Sequence, residues 1–240
     1  MRLTTELLQG AHSYLNPLND RELDLRGHKI PAIENLGVAG PQDAIDLTDN
    51  DIQALSNFPL SERLKTLLLA RNRISSIQPT LAASLPNLTV LALAANNISE
   101  LADLDPLARC ARLTHLSLLD NPVTRRENYR YWVIWRCPSV RFLDYKKVKD
   151  AERVAAGRLF GTLGEPSVLA ARIMGIKSKT FDVSEPLSGG QKEYTVRLSA
   201  TERKNIEARI KAAKSLEEVA KLERELREGP QLPSVDAMEE

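Results

Sequence analysis

Between Leu23 and Val123 the apolar positions recur in one order of spacings, L-x-L-x-x-N-x-I, and the polar positions between them keep step. The first copy reads Leu23, Leu25, His28, Ile30 and the second Ile45, Leu47, Asn50, Ile52. Three longer copies carry a leading leucine: Leu64, Leu67, Leu69, Asn72, Ile74; then Leu88, Leu91, Leu93, Asn96, Ile98; then Leu113, Leu116, Leu118, Asn121, Val123. Two aliphatics at i and i+2 fall on one side of an extended segment, which predicts a short strand with those side chains inward and their neighbours outward. An asparagine just past the strand, where the chain turns, predicts a buried amide serving backbone groups that no ladder reaches. His28 holds that position in the first copy, and the expected role of its ring is to serve the turn.

The asparagine position advances by 22, 22, 24 and 25 residues, inside the ~20–29 residue period of leucine-rich repeats. One such unit cannot bury its own apolar side, so neighbours stack into a solenoid with a parallel sheet on its concave side. The expected fold class is α/β: a leucine-rich repeat solenoid of five repeats over residues 23–124, with helical N- and C-terminal caps and a C-terminal helical hairpin.

The flanks supply the caps. Leu7, Leu8, Ala11, Tyr14 and Leu15 stand at helical spacing before Asn16–Pro17, which predicts a helical cap within residues 1–22. In the connector before the last copy, Asp105 is expected to cap a helix that begins at Pro106. The run Arg125 to Cys137 places Tyr129, Trp132 and Val133 at i, i+3 and i+4, a bulky apolar helical side. Aromatics interleaved with arginine also suit base stacking, but the end of a solenoid needs large apolar residues to close it. Pro138 ends that helix, and Val140, Leu143, Asp144 and Val148 read as a degenerate last coil, so the closing cap spans 125–160. Glycines and prolines break residues 161–198 into an irregular arm or linker in which only Ser167 to Met174 is helical. Ser199 with Glu202 and Ser215 with Glu218 form two capping boxes, which predicts a helical hairpin over 199–228 and a frayed tail over 229–240.

The formal net charge is +1, unevenly spread: residues 1–124 hold 10 Lys/Arg against 14 Asp/Glu, residues 125–160 hold 10 against 4, and residues 161–240 hold 13 against 14. The basic block after the repeats suits a polyanion. Cys110 and Cys137 show neither metal spacing nor a secreted disulfide pattern, which points to a reducing compartment. No apolar run is long enough to span a bilayer, and the N-terminus lacks the apolar stretch of a signal peptide, so no membrane partner is expected. His12, His28 and His115 stand in no metal pattern, and no phosphate-cradling loop or nucleophile elbow is present. Neither catalysis nor a cofactor or metal is expected.

The residues predicted to face outward are more informative. Copy by copy they are Glu22, Asp24, Arg26; Ala44, Asp46, Thr48; Thr66, Leu68, Ala70; Val90, Ala92, Ala94; and His115, Ser117, Leu119. A sheet facing only water has no need of Leu68, Val90, Ala92, Ala94 and Leu119 in adjacent rows, and adjacent exposed apolars mark a contact surface. Five strands ~4.8 Å apart span roughly 19 Å, the length of about 12 helical residues, so a partner helix fits across them. All of these but Ala44 and Thr66 are expected to contact the partner.

Arg21-Glu-Leu-Asp-Leu-Arg-Gly-His-Lys-Ile-Pro31, Ile33-Glu-Asn-Leu36, Asp43-Ala-Ile-Asp46, Arg63 to Leu68, Leu101 to Leu107 and Asn121-Pro-Val-Thr124 resemble the A-prime proteins of the U2 small nuclear ribonucleoprotein. Lys177-Ser-Lys-Thr-Phe181 and the helix from Ser215 to Val219 extend the likeness beyond the repeats. The resemblance implies a nuclear, non-catalytic spliceosomal subunit whose concave face holds a helix of an RNA-recognition-motif protein of the B-double-prime type. It further implies that the pair binds a stem-loop of U2 small nuclear RNA in pre-mRNA splicing. Arg26, Lys29, Lys146, Lys147, Lys149 and Arg153 carry the charges that suit its phosphates, while no aromatic platform for single-stranded bases is expected. The C-terminal hairpin is expected to dock on other spliceosomal proteins. The competing reading is a leucine-rich repeat scaffold for a phosphatase or cytoskeletal partner, with no RNA.

Overall fold

The computed structural model describes residues 2–176. The repeat strands are β2 (Arg21–Asp24), β3 (Ala44–Asp46), β5 (Thr66–Leu68), β7 (Val90–Ala92) and β8 (His115–Ser117), and they pair in parallel in that order. The register aligns the inward residues Leu23, Ile45, Leu67, Leu91 and Leu116 across the sheet. All five are buried, as are Leu25, Leu47, Leu69, Leu93 and Leu118 two residues on. Fully burying such a side chain stabilises by roughly 1.5–3 kcal/mol, so this double row is the spine of the core. Backbone pairing continues past the short strands: the Leu47 N–H donates to Leu68 O at 2.8 Å and the Asp49 N–H to Ala70 O at 2.9 Å.

Each asparagine ties its coil to the one before. Asn72 Nδ2 donates to Leu47 O (2.9 Å) and Leu69 O (3.1 Å), and its Oδ1 accepts the Ile52 N–H (3.1 Å). Asn50, Asn96 and Asn121 repeat the pattern on Leu25 and Ile30, Leu69 and Ile74, and Leu93 and Ile98. His28 does not: it is half-buried and its ring makes no hydrogen bond. The physical reason is position, since no earlier coil of this kind lies before the first repeat to offer the groups the later amides bind. The residue before each of these positions, Gly27, Asp49, Arg71, Ala95 and Asp120, has a positive φ between 54° and 71°; the same left-handed turn closes every coil.

Across the core from the sheet lie short connectors: a two-stranded parallel pair, β4 (Ala54–Leu55) with β6 (Ser76–Ile77), the helix α2 (Leu81–Ser84), and 3-10 turns at Leu36–Ala39 and Leu101–Arg109. Asp105 is not the cap expected of it. The turn starts earlier, where the Glu100 N–H donates to Asp103, and Asp105 accepts from Arg136 Nε at 2.8 Å.

The N-terminal cap corrects the expected single helix. Helix α1 (Thr5–Gly10) is capped by Thr4, buries Leu8 and ends at Ala11, after which β1 (Ser13–Leu15) pairs antiparallel with β2. Gly10 propagates a helix poorly, and β2 otherwise presents an open edge whose backbone groups β1 satisfies. Tyr14 and Leu15 are therefore exposed strand residues.

At the far end, β9 (Phe142–Leu143) adds a sixth parallel strand beside β8, and β10 (Lys146–Lys147) turns back antiparallel on it. Helix α3 (Tyr129–Arg136) closes the core with Trp132, fully buried, against Phe160 in an edge-on contact at 5.2 Å. Trp132 Nε1 donates to Leu101 O and Trp135 Nε1 to Gly161 O, so neither indole offers a stacking face to a base. Gly161 is at φ 77°, and a Cβ there would lie 2.6 Å from Glu165 O, so only glycine fits. Helices α4 (Asp150–Phe160) and α5 (Val168–Met174) complete the cap, and Ala170, fully buried, joins its core. Residues 161–176 thus dock on the cap, while the expected hairpin over 199–228 lies outside the described residues.

Candidate functional site

Alternation along the five repeat strands sets the outward residues in two continuous rows. One runs Glu22, Ala44, Thr66, Val90, His115 and on to Phe142; the other runs Asp24, Asp46, Leu68, Ala92, Ser117. Arg26, Thr48, Ala70, Ala94 and Leu119 follow at the C-terminal ends of the strands.

The two ends of this face differ in character. At the first repeats it is charged and internally satisfied. Arg26 spans Asp24, with Nε–Oδ1 at 2.9 Å and Nη2–Oδ2 at 2.6 Å, and its Nε lies 3.7 Å from Asp46. The hydrogen bond to Arg26 holds the Asp24 carboxyl below its ordinary value, and the same pair raises the guanidinium. Glu22 is buried, and its carboxylate accepts from the Tyr14 hydroxyl (3.0 Å) and Asn16 Nδ2 (2.9 Å), so the β1 hairpin occupies it. Just below the strand ends, Asp43 accepts from Nε and Nη2 of Arg63 and from the Arg21 N–H, which drives its carboxyl far down.

The middle is uncharged and open. Leu68, Ala70, Val90, Ala92 and Ala94 are all partly exposed, and Leu119 is 38% exposed. Ser117, only 7% exposed, carries the one buried side-chain polar atom among the described residues that has no hydrogen-bond partner. His115 stacks flat on Phe142 with ring centroids 4.8 Å apart. Phe142 belongs to this face, and sequence reading missed it because the sixth strand carries only a fragment of the repeat pattern.

The candidate phosphate contacts fall into two groups. Lys146, Lys147 and Lys149 are exposed on and just beyond β10. Arg153, counted with them, donates to Pro138 O (3.0 Å) and Val140 O (2.7 Å) and so helps hold the cap together. Arg26 and Lys29 lie at the opposite end of the sheet, on the turn after β2. No group of three or more His, Cys, Asp or Glu among the described residues is arranged to hold a metal.

The family model described as leucine-rich repeat matches residues 1–172. The U2 small nuclear ribonucleoprotein A' of Aspergillus fumigatus is 63% identical over 234 residues, covering 95% of this chain and 92% of that protein. That of Neurospora crassa is 60% identical over the full length of both, and that of Homo sapiens 44% identical over 100% of this chain and 97% of its own. Among solved structures, a chain of the Drosophila melanogaster SNF/U2A' complex is 47% identical with a TM-score of 0.66, covering 68% of this chain and 95% of its own. A repeat solenoid with these rows, these caps and these relatives belongs to the U2 small nuclear ribonucleoprotein A' family of leucine-rich repeat proteins.

Proposed function

We propose that this chain is a non-catalytic scaffold subunit of the U2 small nuclear ribonucleoprotein, acting in the nucleus in pre-mRNA splicing. Its outward sheet face holds a helix of an RNA-recognition-motif partner, and the pair binds a stem-loop of U2 small nuclear RNA. The relatives' shared name supports the assembly, and the SNF/U2A' complex supports a protein partner.

The observation that carries the reading is the uncharged middle of the face. Leu68, Val90, Ala92 and Ala94 stand half-open in register, and the Ser117 hydroxyl beside Ala92 is closed off from water with nothing to bond. A helix laid across these rows covers the apolar side chains and takes them out of water. An interface of standard size, about 1,600 Å², is within reach of a sheet this wide. Lys146, Lys147 and Lys149 supply phosphate contacts that set position and affinity, while the partner reads bases.

Ala92→Glu tests the reading. The variant is expected to fold, because Ala92 lies outside the core, and to lose the partner, because docking would bury an unpaired carboxylate. Undiminished complex formation by the folded variant, measured by co-purification and calorimetry, would sink it.

A further inference from the structure

The β9–β10 hairpin carries a side chain that the fold does not use. Leu143 on β9 stands opposite Leu116 on β8, and continuing that register by two residues sets Tyr145 opposite Leu118. Leu118 is fully buried, as are Leu93, Leu69, Leu47 and Leu25 at the same place in earlier coils. Tyr145 is instead 79% exposed. The chain turns outward there because Asp144 and Tyr145 are the two loop residues between paired Leu143 and Lys146, with φ of 52° and 61°.

Positive φ at both loop positions is the shape of a type I' hairpin turn, for which Asn-Gly or Asp-Gly is the favoured pair. Asp144 suits the first position and serves the fold, since its Oδ1 accepts the Leu118 N–H in place of the ladder carbonyl that the turn carries away. A tyrosine at the second position bears the left-handed penalty of a bulky residue without any packing return. Its hydroxyl makes no hydrogen bond, and its ring meets no other ring, unlike Phe142 on His115. Backbone strain that packing does not repay is retained where it serves a site.

We propose that the hairpin tip is a nucleobase-stacking site, in which Tyr145 stacks on an unpaired base of RNA and Lys146 and Lys147 hold the adjoining phosphates. This rests on the RNA-binding reading above and adds to it a base contact that the reading assigns to the partner alone. The chemistry favours RNA over an acidic peptide. A peptide carboxylate would satisfy the lysines and leave the ring unused, whereas a nucleotide presents a flat face and a phosphate together.

The test uses the full chain and two 12-nucleotide RNAs, an oligoadenylate with one 2-aminopurine and an abasic strand of equal length, with a 12-residue polyglutamate as third probe. The wild type is expected to bind the oligoadenylate and quench its 2-aminopurine. Tyr145→Ala should lose about tenfold or more of that affinity while binding the abasic strand unchanged, and Tyr145→Trp should keep both. Replacing Lys146 and Lys147 by Ala should weaken both RNAs. Tyr145→Gly should lose the base-dependent affinity although its melting temperature rises by about 3 °C, which separates the loss from unfolding. If Tyr145→Ala binds the oligoadenylate as the wild type does while the lysine variant weakens both strands, base stacking falls and phosphate contact stands. If the lysine variant also changes nothing, the phosphate contacts assigned to Lys146 and Lys147 fall with it. Polyglutamate bound as tightly as RNA, with the same dependence on Tyr145, would overturn the proposal in favour of an acidic protein ligand.

Discussion

The Tyr129 hydroxyl donates a hydrogen bond to Asp144 Oδ2 at 2.9 Å, so the closing helix and the last coil share one carboxylate. Burial and the Asp144 charge push the Tyr129 phenol well above its ordinary value. In the unfolded chain the phenol loses its proton near pH ~10, while the folded chain keeps it. The stabilisation is therefore complete below that pH and declines as pH rises through it. Tyr129→Phe should cost about 1–2 kcal/mol at neutral pH and show a shallower loss of stability on going to about pH 10.5. Urea titrations of both proteins at the two pH values check this, and equal alkaline losses would refute it.

The asparagines should far outweigh His28. Asn72→Ala leaves the Ile52 N–H without a partner inside the core, while the Leu47 and Leu69 carbonyls each lose one of two amides and keep that of Asn50 or Asn96, a loss of about 1–3 kcal/mol for the one unsatisfied group. His28→Asn should alter stability by less than about 0.5 kcal/mol, since no preceding coil meets the new amide. Denaturant midpoints of the two variants decide it; comparable shifts would mean the amides are not what ties the coils.

The left-handed turn predicts a pair of opposite substitutions. Gly27, at φ 71°, replaced by Ala should lower stability by about 1 kcal/mol, and Ala95, at φ 54°, replaced by Gly should raise it by a similar amount. Thermal unfolding reads both, and a destabilised Ala95→Gly would show that its methyl contact outweighs the turn.

Acid should act on the far cap through Glu152. Arg130 donates to both its oxygens, at 2.7 and 3.1 Å, and the Lys149 N–H adds a third bond at 2.8 Å. Led by the Arg130 bond, these bring the carboxyl down from 4.5 to about 2. With the folded value depressed, the stabilisation is whole above 4.5 and is lost as pH falls through about 2. Glu152→Gln should flatten the fall in melting temperature across that window. A variant that follows the wild-type acid profile would remove Glu152 from the account.

Periodicity made the strands, their register and the asparagine ladder legible, because each depends on spacing within one coil. What stayed hidden depends on partners distant in sequence. Leu7 to Leu15 has helical spacing throughout, yet the open edge of β2 draws Ser13–Leu15 into the sheet. Arg153 resembles any surface cation until its guanidinium is seen on two backbone carbonyls, which no side-chain pattern records. Glu22 alternates outward as expected, but Tyr14 and Asn16, brought over by that same hairpin, consume its charge. Tyr145 gave no signal either, since a lone tyrosine in a basic run says nothing of its φ.

Asn50, Asn72, Asn96 and Asn121 all bond to the coil before their own, never to the one after. That gives the solenoid an arrow. A ribosome releases the chain N-terminus first, so by the time each amide emerges the carbonyls it needs are already in place. Coils can accrete in the order of their synthesis, with α1 and β1 as the starting template, and an interrupted chain keeps the asparagine amides of every completed coil bonded while the N–H groups of its last coil await the next. Deleting the first repeat would instead strip Asn50 of its Leu25 and Ile30 partners and open the ladder from the end on which all later turns are laid.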